Sequence, residues 1–328
     1  MSSWAGTPML AAALWLALAA LGAPLLGIAW RWRARRMRTS HPATRARAAE
    51  AVAWGATGAP TVALLLVVLP GLLALLGGGD HCRRHAEHLH LCLVHPAAAL
   101  PPAAIAAVSA AWLAFALRSV WRLLPDLHGF AASRELAALH RIGRDAVERV
   151  RSERLFSITT GAWRPRIWIS DRLWRALSPE QLAVVLAHER AHARRRDPLR
   201  RAAIAVLSLP LGAATRVRLL RSWTLASEQA CDEEAARAVG DRVRVAEAVL
   251  AVERLLGGSE RLPVRAPSFG GGDVERRVRS LLAPDAAISE PRRGRRALAV
   301  AAAGLCLAGS GVLHHVAEHL IDAVFGAR

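Results

Sequence analysis

Two histidines four residues apart, His188 and His192, bracket a glutamate at position 189. On a helix that spacing brings both imidazoles out of one face. Two nitrogens so placed can share a single Zn2+. Glu189 is adjacent to a ligand without being one, and can reach a water polarised by the metal. Zinc lowers the pKa of such a water to about 7, so a nucleophile is available at neutral pH with Glu189 as general base. Hydrolysis of a peptide bond is the chemistry that suits this pattern. The bland alternative is a surface helix with two unpaired histidines.

The neighbouring residues favour the helix as a site. Ser178 suits an N-cap, Pro179 suits the first helical position, and Gln181 completes a capping-box pattern. The helix is expected to run until Asp197-Pro198 stops it. Before it, residues 155 to 160 and 166 to 169 read as two short strands separated by a Gly/Pro turn.

A catalytic zinc takes a third protein ligand and keeps one position open. A second helix is expected over residues 223 to 239, with Ser222 as cap and Gly240 as terminator. On it Glu228, Cys231, Asp232 and Ala235 share one face. Glu228 can give a carboxylate oxygen to zinc. Asp232, one turn on, can accept a hydrogen bond from a ligand imidazole and fix its tautomer. An acidic solvated face is the alternative, and it suits Glu233 and Glu234. Cys231 can ligate on chemistry alone, and a small packed thiol is the other reading.

These elements sit in a chain of membrane character. Of 328 residues, 53% are hydrophobic, and the apolar content comes in blocks. Spans are expected at residues 8 to 30, 51 to 77 and 97 to 120, with a fourth at 297 to 313. No basic n-region precedes the first block, which argues against a signal peptide. The net charge is +18, and every basic residue is Arg. Seven arginines between positions 31 and 47 come after the first block, and Arg292, Arg293, Arg295 and Arg296 precede the fourth. The positive-inside rule puts both groups in the cytoplasm and both termini outside. Anionic headgroups are then the simpler partner for the charge than nucleic acid, for which no zinc finger or helix-turn-helix signature appears.

The fold class expected is a mainly α, polytopic membrane protein with four transmembrane helices and a cytoplasmic α+β metalloprotease domain. Residues 1 to 123 hold three spans and a His/Cys outer loop at 78 to 96. Residues 124 to 295 form the domain, and residues 296 to 328 the fourth span and a short outer tail. Within the domain an amphipathic helix is expected at 131 to 151. A short buried or surface helix is expected at 202 to 214, and an irregular stretch at 257 to 295 with a helix near 274 to 282.

The chain resembles the BlaR/MecR-type membrane metallopeptidases, a gluzincin family. The resembling residues are Arg164-Pro-Arg-Ile-Trp-Ile169, Leu182 through His192, Asp197, and Glu228-x-x-Cys231-Asp232. The resemblance implies that His188, His192 and Glu228 bind zinc, that Glu189 is the base, and that Asp232 supports a ligand. It implies that the strand before the helix pairs with an extended substrate backbone. It also implies a protein or peptide substrate, with a winged-helix transcriptional repressor as the family's target. The sequence ends at Arg328, so the family's penicillin-binding sensor domain is not expected. An oxyanion stabiliser is open: Tyr is absent from the chain, and Arg276 or Arg277 are candidates.

Two other readings share the motif. An HtpX-type quality-control protease would more often place apolar spans between its zinc motifs, and residues 202 to 214 are too short for one. A non-catalytic membrane sensor is the reading from a different class. Elsewhere, His315-Val-Ala-Glu318-His319 matches an inverted zinc motif, but it falls in the short tail and is set aside. Cys82 and Cys92 are expected to form a disulfide on the oxidising side, in a loop whose histidines could alternatively bind metal.

Overall fold

The structure is a computed structural model, and it describes residues 6–75, 100–138, 141–142, 147–257, 271–283 and 309–325. The chain divides into two compact units. One comprises Met1–Leu26, Trp54–Val120 and Glu290–Arg328, and the other Gly27–Ala53 and Trp121–Ser289.

Three long helices, α1 (Gly6–Arg36), α2 (Pro42–Leu75) and α3 (Pro102–Ala138), supply residues 6–26, 54–75 and 102–120 to the first unit and their remaining residues to the second. All three are long and apolar enough to cross a membrane. Their apolar side chains point outward: Leu21, Leu25, Leu65, Leu113 and Leu117 are all more than half exposed. In water that would be unfavourable, and in hydrocarbon it is the required surface. Trp15 stacks on Trp112 with ring centroids 5.6 Å apart and donates to Thr61 Oγ1 at 3.0 Å. The expected outer loop and most of the fourth span lie outside the described residues.

The second unit holds the motif helix. Its sheet has the order β1 (Arg141–Ile142), β2 (Val147–Val150), β4 (Arg166–Ser170), β3 (Ser157–Thr160). β2 and β4 are parallel, and β3 pairs antiparallel to β4 as the edge strand. Trp168 packs with Val150 and Phe156, whereas Ile169 packs with Leu155, Leu173 and Leu177. That split is the period-2 alternation of a strand buried on two faces.

The helices lying wholly within this unit are α4 (Asp171–Ala176), α5 (Pro179–Arg195), α6 (Asp197–Leu207), α7 (Ala213–Val239), α8 (Arg242–Gly257) and α9 (Gly271–Leu282). α5 begins as its sequence signals require. Ser178 accepts from the Gln181 N–H, and the Gln181 side chain accepts from the Ser178 N–H. α7 ends at Gly240, at φ +79°, the left-handed cap that glycine adopts without steric cost.

Several expectations are corrected. The amphipathic helix expected at 131 to 151 holds only over its first residues: α3 runs to Ala138, and β1 and β2 lie beyond it. Pairing of Val147 through Val150 with β4 overrides the local helical pattern. α7 starts at Ala213, ten residues before Trp223, and the expected cap Ser222 lies inside it. The short helix expected at 202 to 214 is α6, which begins earlier at Asp197 and ends before a turn at Ser208. α8 is a full helix over residues for which the sequence pattern predicts no element. The strand just before the motif helix, β4, lies between β2 and β3 and so has no free edge; the edge strands of the sheet are β1 and β3. The final tail is also helical: α10 (Ser310–Phe325) packs Ala317 and Ile321 against Leu10, Val67 and Leu100.

Gly161 makes the turn from β3 to β4 at φ +95°, and a Cβ there would stand 2.5 Å from the Arg164 carbonyl oxygen. Gly161→Ala should therefore destabilise the hairpin by about 2 kcal/mol. Gly240→Ala, with open space around its Cβ, should cost about 1 kcal/mol. Thermal melts of both variants in detergent, monitored by circular dichroism, check the order.

Candidate metal centre

α5 and α7 lie side by side, and their facing stripes meet at the motif. His188 and His192 project from α5 toward Glu228 on α7. The two Nε2 atoms are 3.1 Å apart. Each is 3.4 Å from a different oxygen of the Glu228 carboxylate. Metal–nitrogen bonds of about 2.0–2.1 Å in a tetrahedral site separate ligand atoms by about 3.3 Å. The two nitrogens and the carboxylate are thus spaced as three corners of such a tetrahedron. Glu228 is 4% exposed, and its Oε2 has ionic contacts with His188 and Arg277 but accepts no hydrogen bond. A buried carboxylate oxygen left in that state fits a cation site.

The other ring nitrogens are committed elsewhere. His188 Nδ1 lies 2.9 Å from Asp232 Oδ1, and His192 Nδ1 lies 2.9 Å from Asp197 Oδ2. Carboxylates in those positions hold the protons on Nδ1 and leave Nε2 of both rings facing Glu228. The backbone supplies the Asp197 contact directly. Arg196 caps α5 at φ +52°, a left-handed conformation found at no other non-glycine among the described residues. This bend starts α6 at once and swings Asp197 back beneath His192. Ser227 Oγ donates to the same Asp197 oxygen at 2.6 Å.

Arg277, from α9, closes the site. Its Nε and Nη2 donate to the two Asp232 oxygens at 2.7 and 2.6 Å, and Nη1 lies 3.3 Å from Glu228 Oε2. The guanidinium is therefore held by carboxylates rather than aimed at an oxyanion. Arg276, the other candidate for that role, pairs with Asp273 at 2.8 Å on the surface.

Glu189 is 7% exposed and accepts a hydrogen bond from Thr159 Oγ1 at 2.7 Å. The same hydroxyl lies 3.1 Å from the Glu189 backbone carbonyl oxygen, which ties edge strand β3 to the motif helix. Sequence reasoning misses Thr159 and the true role of Arg277. Neither sits in a local pattern, and each reaches the site only through tertiary packing. Asp197 reads in the sequence as a helix stop, and its partnership with His192 is visible only in the fold.

The electrostatics are set by burial against charge. Burial lowers the pKa of both histidines, but the facing carboxylates outweigh it. His188 is raised by Asp232 and Glu228, and His192 is raised well above the ordinary value. Burial raises Glu228, yet His192, His188 and Arg277 bring it well below the usual range. Asp197 behaves alike and falls to about 2. Cys231 goes the other way: burial pushes its thiol up to about 12. Its Sγ lies 3.3 Å from His192 Nδ1, the ring nitrogen that Asp197 also engages, rather than at Nε2, which faces Glu228.

The inverted motif lies in the other unit, on α10. There the buried His314 contacts the Val67 carbonyl oxygen at 2.5 Å through Nδ1 and Glu318 at 3.0 Å through Nε2.

The family model described as BlaR1 peptidase M56 matches residues 102–281, from the start of α3 to within α9. No curated protein and no solved structure matches the chain.

Two outcomes are expected. Because both imidazoles hold protons above the ordinary histidine value of 6.5, a metal must displace them. Apparent metal affinity should rise with pH from about 6 to about 8 without levelling near the ordinary histidine value, as measured by competition with a chromophoric chelator. Cys231→Ser should retain wild-type metal stoichiometry by elemental analysis, whereas His188→Ala should lose it.

Proposed function

Because the chain belongs to the BlaR1 peptidase M56 family, and its matched region carries these converging ligands, we propose that it is a membrane-bound zinc endopeptidase. The observation that carries this reading is the convergence of His188 Nε2, His192 Nε2 and Glu228 on one point, with Glu189 next to His188 in the chain and its carboxylate held by Thr159. The donor set of two imidazoles and a carboxylate is that of catalytic zinc sites with an open position. Zinc bound there would supply Lewis acidity toward a scissile carbonyl and a water that ionises near neutral pH.

The chain's own residues do the rest. Asp232 and Asp197 keep the Nδ1 protons in place. Arg277 holds Glu228 and Asp232 ionised. Glu189 takes the proton from the attacking water at its carboxylate and returns it to the leaving amine. Thr159 keeps that carboxylate turned toward the site. The free edge of β3 offers alternating backbone N–H and C=O groups to an extended peptide, whose scissile bond would then lie over Glu189.

In this reading the substrate is a cytosolic or membrane-proximal protein, and the role is regulatory. The arginines flanking the apolar spans support a cytoplasmic domain. A winged-helix transcriptional repressor is the target class that the family resemblance suggests. The 11-residue α6, between His192 and Glu228, is too short to cross a membrane, which favours this reading over a quality-control protease of the HtpX type.

Glu189→Gln removes the base and leaves all three ligands. It should cut hydrolysis of a fluorogenic casein by about 10²–10⁴-fold while zinc content stays at wild type. Thr159→Val should lower kcat by a smaller factor. Zinc lost in Glu189→Gln, or turnover retained, would exclude Glu189 as the base.

A further inference from the structure

The ligand His192 is connected through side chains to a residue outside the region matched by the family model. Asp197, the carboxylate beneath His192, gives its second oxygen to Arg200, whose Nη1 is 3.2 Å from Oδ1. The other end of that guanidinium meets Glu50, with Nη2 2.6 Å from Oε1. The same Glu50 oxygen accepts from Trp223 Nε1 of α7 at 2.8 Å. Glu50 lies on α2, at the charged base of its apolar stretch. Residues 27–53 belong to the same compact unit as the metal centre.

A second contact from the same turns of α2 reaches the neighbour of a ligand. Arg45 donates to Gln229 Oε1 at 2.7 Å, and Gln229 donates onward to the Arg276 carbonyl oxygen at 2.8 Å. Gln229 is buried and comes directly after Glu228.

We propose that Glu50 is a positioning residue for the metal centre: it anchors Arg200 so that Asp197 keeps His192 oriented with Nε2 toward the metal. The reason is charge balance. Arg200 stands between two carboxylates, Glu50 and Asp197, and both side chains of the Glu50–Arg200 pair are mostly shielded, at 19% and 25% exposure. Without Glu50, Asp197 is the one remaining acid of that bridge. The guanidinium then draws closer to Asp197 and weakens its grip on the His192 Nδ1 proton. Ligand basicity and ring orientation both depend on that grip. The base of α2 is thereby part of the metal site although it contributes no ligand.

The inference rests on His192 being a metal ligand, and the experiment separates the two. Full-length protein in detergent is titrated with zinc against a chromophoric chelator, and its Co2+ form is recorded by visible absorption. Variants are Glu50→Ala, Glu50→Gln, Arg200→Met, the Glu50→Ala/Arg200→Met double, and Glu275→Gln as a surface charge control.

Glu50→Ala should weaken zinc binding about tenfold, the low end for residues that support a ligand. Glu50→Gln, which keeps an acceptor oxygen for Trp223 and Arg200, should lose less. The Co2+ bands should shift in both, with melting midpoints near wild type. The double variant should bind no more weakly than the worse single variant, because both substitutions break one chain. Glu275→Gln should match wild type. Wild-type affinity and spectrum in folded Glu50→Ala and Glu50→Gln, or additive losses in the double, would overturn the role of Glu50 alone. Failure of the wild type itself to bind zinc would overturn the site reading together with it.

Discussion

Two imidazole nitrogens 3.1 Å apart face one carboxylate at 3.4 Å in the interior of the second unit, and everything around them answers that arrangement. Such a group is tolerable away from water only if its protons are controlled. Asp232 and Asp197 do this by occupying Nδ1 of each ring. Those two acids then need compensation of their own. Arg277 provides it on one side, and Arg195 and Arg200 on the other. Layers of alternating charge therefore surround the point where the ligands meet, and they draw on several different helices.

The need for those layers explains the fold near the site. α5 alone can present two histidines. It cannot present the acids that orient them, because residues on one helical face project the same way. α7 contributes Glu228 and Asp232 from one stripe. The left-handed bend at Arg196 supplies Asp197, at the cost of a strained backbone in a non-glycine residue. α9 supplies Arg277, 45 residues after Asp232 in sequence. The family match runs just past Arg277, to residue 281, so the matched region includes the last element that the centre needs.

Legibility in the sequence tracks the range of the interaction. The capped helix α5, the β3–β4 pair and the three apolar helices are readable because each rests on local periodicity or on a specific cap. His188 and His192, and Glu228 and Asp232, are readable because helical spacing alone puts each pair on one face, and Glu189 because it stands next to His188. The structure then brings the two sets together. Where tertiary pairing decides, local pattern misleads: residues 147 to 150 carry a helical pattern, yet they form β2 by pairing with a distant strand. The early start of α7 is hidden because Leu219 lies in a polar stretch and is nevertheless fully buried. Thr159 and Arg277 carry no local mark.

Arginine, not lysine, is suited to these positions. The Arg277 fork meets both oxygens of Asp232 and still offers a third nitrogen to Glu228. An ammonium at the same place could address only one of these carboxylates well, and once buried it could shed its proton. Arg277 is 5% exposed and its pKa is raised, because burial, which lowers it, is outweighed by Asp232 and Glu228. It therefore remains a fixed charge whatever the histidines do. A chain with 44 arginines and no lysine draws that bias from more than one source. At this centre, however, the choice has a local reason. The carboxylates that orient the histidines must stay ionised in a place where burial opposes ionisation, and only a permanent, planar, multidentate cation meets that requirement.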